Sequence, residues 1–238
     1  MGVVIRGKKT DVADVVLLTQ NEDNARKIAE DVLVDSFMFH NIRNMNGYTG
    51  FHNGRKITVQ GLGIGNVSAA MYVEELIKEF EPKYLFKLDG CLALNENLKP
   101  GELVLAQTVH TTSRINRYNY GGKVFPAAAD FPLLNLSYEK AKKLDFDISV
   151  GPIVSIETRD EMEIARKFAE RGALCIDLEL SQVYTIANRA GIPVVGLLSV
   201  FENDVSKEAL TASEREEAFL RLVDLALNSA SALDVTRN

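Results

Sequence analysis

Cysteine and histidine are scarce in this chain of 238 residues. There are two cysteines, Cys91 and Cys175, and three histidines, His40, His52 and His110. The cysteines stand far apart with no CxxC motif, which excludes a disulfide scaffold and points to buried, reduced thiols. The histidines lack metal-ligand spacing, so neither a zinc site nor a metal cofactor is expected. No apolar run approaches the ~18 residues of a membrane helix. The opening MGVVIRGKKTD lacks the apolar stretch of a signal peptide, so a cytoplasmic protein with no membrane partner is expected. Basic clusters are missing too: 27 Lys and Arg stand against 33 Asp and Glu, a formal net charge of −6. Nucleic-acid binding depends on clustered cations, so no nucleic-acid partner is expected. No linker, charge block or repeat divides the chain, and one domain over residues 1–238 is expected.

What is present is an ordinary globular balance, 46% hydrophobic and 25% charged, enough for a sizeable core. Short apolar, β-branched runs recur at Val15–Leu18, Ile57–Gln60, Tyr84–Leu88, Leu103–Ala106, Ile148–Val154 and Val194–Val200. They read as buried strands. Helical spacing lies between them, at Asp23–Leu33, Glu161–Gly172, Leu178–Ala190 and Ser213–Ala232. Asn66 is suited to cap a further helix running to Phe80, with Val67, Ala70, Met71, Ile77 and Phe80 on its inner side. Gly191-Ile192-Pro193 is a helix stop that feeds the next strand. Alternation of this kind predicts an α/β sandwich in a single domain, with ligands at the carboxyl ends of strands.

Several segments carry candidate chemistry, each beside a structural alternative. Gly61-Leu62-Gly63-Ile64-Gly65 lies between a strand and a helix. Its spacing departs from the dinucleotide fingerprint, leaving a turn that admits a ligand or a purely structural one. Lys87-Leu88-Asp89-Gly90-Cys91-Leu92 ends a strand, either as a solvated polar terminus or as a cation with free N–H groups for an anion. Asp177-Leu178-Glu179 places two acids at a helix start. The macrodipole favours them there, and a carboxylate can also hold a vicinal diol. Glu202-Asn203-Asp204 follows a strand, as loop acids or as a general acid. Arg43 and Arg114 sit in mixed loops, where surface arginine is the simplest reading.

Taken together, these segments resemble the hexameric purine nucleoside phosphorylase family. The match is nearly collinear from Asp11 to about Leu225. It runs through Ala13-Asp14-Val15-Val16-Leu17, Asn41-Ile42-Arg43, Gly47-Tyr48-Thr49-Gly50, the Gly61–Gly65 turn, Asn116-Arg117, Ala128-Ala129-Asp130-Phe131 and Thr211-Ala212-Ser213-Glu214-Arg215. The resemblance implies a mixed central sheet flanked by helices, and a homohexamer built as a trimer of dimers with each site completed by a neighbouring subunit. It implies phosphorolysis of a purine nucleoside to free base and ribose 1-phosphate, with inorganic phosphate as co-substrate and no cofactor. An oxocarbenium-like transition state needs an anion or nucleophile below the sugar and an acid at the departing base.

Position by position, the resemblance places ribose contacts at Leu178, Glu179 and Ile64. It places the base at Cys91, Leu92, Arg159 and Asn203. The catalytic carboxylate falls on Glu202, with Asp204 as a second candidate, and the accompanying family arginine falls on Val205. The phosphate positions fall on Gln20, Asn24, Arg43, Lys87 and Gly90, and a histidine lent across the interface falls on Val4. Only Arg43 keeps its family identity among the acceptor ligands, and Glu22 and Asp23 add negative charge nearby. Two further readings follow. One is a nucleosidase in which Glu22 activates water, with helix capping by Glu22 and Asp23 as the structural alternative. The other is a catalytically impaired homologue that binds nucleoside or base.

Overall fold

The computed structural model describes residues 4–233; the outermost residues of the expected 1–238 domain lie outside them. In chain order the elements are β1 (Val15–Thr19), α1 (Glu22–Lys27), β2 (Val34–His40), β3 (Gly47–His52), β4 (Arg55–Gly61), α2 (Asn66–Phe80), β5 (Tyr84–Ala93) and β6 (Leu103–Thr111). There follow α3 (Ile115–Asn119), β7 (Ala127–Ala128), α4 (Phe131–Lys143), β8 (Ile148–Ser155), α5 (Met162–Ala169), β9 (Cys175–Asp177), α6 (Leu180–Ala190), β10 (Val194–Asn203) and α7 (Ala212–Ser231).

The strands form one mixed sheet in the order β10-β6-β8-β9-β5-β1-β4-β3-β2. β10 also pairs with β5, so β5, β9, β8, β6 and β10 close a ring from which β1, β4, β3 and β2 extend. Helices cover both faces, as the α/β reading expects. One buried layer joins Leu85, Cys91 and Ala93 of β5 to α2 and α6 through Leu76, Val183 and Tyr184. The other joins Phe86 and Leu88 to α1, α4 and α7 through Ala25, Leu134, Leu222 and Ala226. The period-2 alternation of β5 therefore feeds two cores.

Several boundaries move for physical reasons. β5 extends beyond Leu88 to Ala93 because β9 and β10 pair with its far end. β2 has no continuous apolar run, since Asp35 and Ser36 interrupt it, and at the sheet edge Val34, Phe37 and Met38 are exposed. The helix expected over Asp23–Leu33 stops at Lys27 and continues as a π turn, closed by the Leu33 N–H to the Ile28 carbonyl at 3.1 Å. Asn66 does not cap α2. Gly65, at φ 90°, holds the cap position, and Asn66 is the first helical residue. The inner face of α2 is Ala69, Tyr72, Val73, Leu76 and Phe80, while Val67 and Met71 face outward.

Candidate active site

The site gathers at the carboxyl ends of β1 and β4, along the middle of β5 and at the start of α6. After β1 the chain turns on Thr19, whose hydroxyl donates to the Asn21 carbonyl at 2.8 Å. Asn21 caps α1 by accepting the Asp23 N–H at 2.9 Å. Capping expected of Glu22 and Asp23 therefore belongs to Asn21. Glu22 is held instead by Asn46 Nδ2 (2.6 Å) and the Tyr48 hydroxyl (3.0 Å), both donating to its Oε1.

The β4–α2 turn lies against β1: the Leu62 N–H donates to the Thr19 carbonyl (2.8 Å), and the Gly63 N–H to the Gln20 carbonyl (3.1 Å). Gly63 and Gly65 hold φ of 73° and 90°, a region that disfavours side chains. That backbone aims the Gly65 N–H at Glu179 Oε1, 2.7 Å away. Gln20 Nε2 donates to the same oxygen at 2.8 Å. Glu179 is thereby buried, while Ile64 stands exposed at the lip.

Lys87 is not the solvated strand-end cation its sequence position suggested. It is fully buried, and its Nζ donates to Asp89 Oδ2 and lies 3.4 Å from Glu179 Oε2 and 3.8 Å from Asp177 Oδ2. Asp177 also takes the helix-start role, accepting the N–H groups of Glu179 (2.7 Å) and Leu180 (2.5 Å). One ammonium facing three buried carboxylates leaves an excess of negative charge. Burial raises the Glu179 carboxyl to about 7, partly offset by Lys87. Burial likewise raises Asp89. Burial works against the Lys87 ammonium, but the three carboxylates outweigh it and hold its pKa above the ordinary value.

The second constellation lies at the end of β10. Val205 was expected where an arginine partner of Glu202 would stand, leaving the acid unpaired. The structure corrects this: Arg215 Nη2 donates to Glu202 Oε1 at 2.7 Å. A bridge between Glu202 and Ala209 reverses the chain and returns the start of α7 to the strand end. Thr211 and Glu214 then form a capping box that fixes the first turn carrying Arg215. Arg215 also sits 5.7 Å over the Phe201 ring. With Phe201 it lines a cavity of about 720 Å³ that also includes Asn21 and Asn24.

Other expected positions fall elsewhere. A side chain at Gly90 would meet the Phe201 ring at 2.2 Å, so the aromatic occupies the place of any hydroxyl there. Asn203 does not face a base. Its Nδ2 donates to the carbonyls of Asn95 (2.9 Å) and Leu98 (2.7 Å), and its Oδ1 accepts from Val205 and Ser206. Asp204 is no proton donor near neutrality: Arg166 and Lys207 hold its carboxyl below the ordinary range. Cys91 is buried, Leu92 and Leu178 pack partly buried against one small core, and Arg159 is exposed. Arg43 is exposed on a left-handed turn, φ 57°, away from the cluster's contacts. Val4 is buried, its N–H donating to Glu75 Oε1 at 2.9 Å. Among the described residues, no group of three or more His, Cys, Asp and Glu is placed to hold a metal. None of their helices is long and apolar enough to cross a membrane.

Sequence reasoning missed two functional candidates. Asp89 was visible only as part of a polar strand end. Arg215 was visible as the last residue of the Thr211–Arg215 match, 13 positions from Glu202.

Residues 14–234 match the family model described as the phosphorylase superfamily. A "Purine nucleoside phosphorylase DeoD-type" of Caldanaerobacter subterraneus subsp. tengcongensis is 34% identical over 97% of this chain and 100% of its own length. A protein of the same name from Bacillus cytotoxicus is 32% identical over 97% and 99%, and one from Bacillus velezensis 34% over 97% and 100%. With a family model spanning nearly the whole chain and relatives of matching length, the chain belongs to the phosphorylase superfamily.

Proposed function

We propose that the protein cleaves the N-glycosidic bond of a purine nucleoside by phosphorolysis. The bond from the anomeric carbon to the base nitrogen breaks, a phosphate oxygen bonds to that carbon, and the base leaves protonated, the proton it gains being balanced by the one phosphate gives up. The observation that carries the reading is the end-to-end similarity to proteins named purine nucleoside phosphorylase, on a chain that keeps Glu179 at the strand-end turn. Glu179 holds the sugar diol. Its Oε1 is capped by the Gln20 side-chain amide, a donor on a rotatable arm that a sugar hydroxyl can replace. Leu178 and Ile64 border the sugar. Glu202, oriented by Arg215, acts as the general acid that delivers a proton to the departing base. Cys91, Leu92 and Arg159 lie on the base side, and Arg43 completes a neighbour's acceptor site. Both oxygen-bound partners of Glu22 belong to its own fold, which supports a loop-bracing role over activation of water.

The working unit is a homohexamer built from dimers. Ile64, Val67 and Met71 form an exposed apolar stripe at the start of α2, the kind of surface a subunit contact covers. The chain acts as one domain over 1–238, in the cytoplasm, where its two free thiols stay reduced.

The test is base release from inosine, guanosine and adenosine with and without inorganic phosphate. Release that requires phosphate is expected; equal release without it contradicts phosphorolysis. Glu202→Gln is expected to lower kcat by about 10²-fold, on the scale of lost acid or electrostatic assistance. An unchanged kcat would remove Glu202 from the mechanism.

A further inference from the structure

Two donors, one just past the end of β1 and one midway along β5, are suited to an oxyanion: the backbone N–H of Gln20 and the ammonium of Lys87. Both are directed at one atom of this chain. The Gln20 N–H donates to Asp89 Oδ2 at 2.8 Å, and Lys87 Nζ donates to the same oxygen. Asp89 is itself buried, and its strand position is fixed by pairing with Leu198 of β10. Phe201 fills the space beside Gly90, so no hydroxyl there offers an alternative ligand.

We propose that the Asp89 carboxylate is a built-in competitor for the acceptor anion, occupying Gln20 N–H and Lys87 Nζ so that inorganic phosphate binds only by displacing it. The inference rests on the phosphorolysis reading for its ligand. Its physical basis is charge. The buried surroundings of Lys87 already hold Asp89, Asp177 and Glu179, and a phosphate dianion added to that group meets like charge at close range. Displacing the Asp89 carboxylate would free both donors at once, because they share its Oδ2. Asp89 therefore sets acceptor affinity, making the protein a weak binder of phosphate that turns over only when phosphate is abundant.

Asp89→Gly removes the competitor, and Asp89→Asn removes the charge while keeping the volume, so it preserves the fold if the glycine variant does not. Binding of radiolabelled inorganic phosphate to the full chain is measured by equilibrium dialysis, beside the phosphate and nucleoside KM for base release. Both variants are expected to bind phosphate more tightly, the glycine variant by about tenfold or more, as relief of a close like-charge contact implies. Phosphate KM should fall in step, with nucleoside KM moving by a smaller factor. Unchanged or weaker phosphate binding in a folded Asp89→Asn overturns the proposal, since a purely structural Asp89 would give that result. The dialysis requires no turnover. Tighter phosphate binding without base release would sink the phosphorolysis reading and leave the Asp89 inference standing.

Discussion

Replacing Lys87 with methionine is expected to destabilise the fold by about 3–5 kcal/mol, the scale for removing one partner of a buried charge group. Lys87 is completely buried, and its ammonium is the cation that faces Asp89, Asp177 and Glu179 from within the cluster. Methionine fills similar volume, so the loss is electrostatic rather than a cavity. The three carboxylates would then have to bind protons or remain unpaired in a low-dielectric interior. Urea unfolding measures the effect, and combining the change with Asp89→Asn should recover part of the loss because one buried carboxylate is gone. A loss below about 1 kcal/mol would mean that the cluster is far more hydrated than its burial implies.

Glu179→Gln is expected to lower kcat/KM for nucleoside by about 10- to 100-fold, the value of a charged hydrogen-bond acceptor lost to a hydroxyl pair. The same substitution should leave stability intact, or improve it above neutral pH. The folded-state pKa of Glu179 is raised to about 7 from an ordinary 4.5. Between those values the unfolded chain has released this proton and the folded chain keeps it. The contribution of Glu179 to stability therefore falls as pH rises through that window and levels off above it. Glutamine has no proton to release, so the variant should lose that part of the slope. Denaturation at pH 5 and pH 8 checks the slope, and steady-state kinetics checks the activity. A variant with full activity would show that the diol is held elsewhere.

The sheet's buried centre was legible in the sequence because burial on both faces writes a continuous apolar run, as in Val15–Leu18 and Val194–Val200. β2 was not, because Asp35 and Ser36 break its apolar residues into short pieces along a mostly exposed edge. Lys87 and Asp89 looked like a polar terminus because their burial depends on β9 and β10, segments distant in sequence that lengthen β5. The carboxylates Glu179 and Glu202 were placed correctly along the chain, at a helix start and a strand end. Their partners were not. Gln20 lies 159 positions from Glu179, and Arg215 reaches Glu202 only after a chain reversal and a capped helix turn. Residue type and local position can be read from a single segment, whereas charge pairing across the sheet needs its topology.

The central claim is that the protein transfers a ribosyl group from a purine nucleoside to phosphate, and phosphorus NMR of the reaction products tests it most directly. With inosine in abundant inorganic phosphate, a sugar 1-phosphate resonance should grow in step with hypoxanthine release. Hypoxanthine accumulating beside free ribose, with the phosphate signal unchanged, would contradict the account.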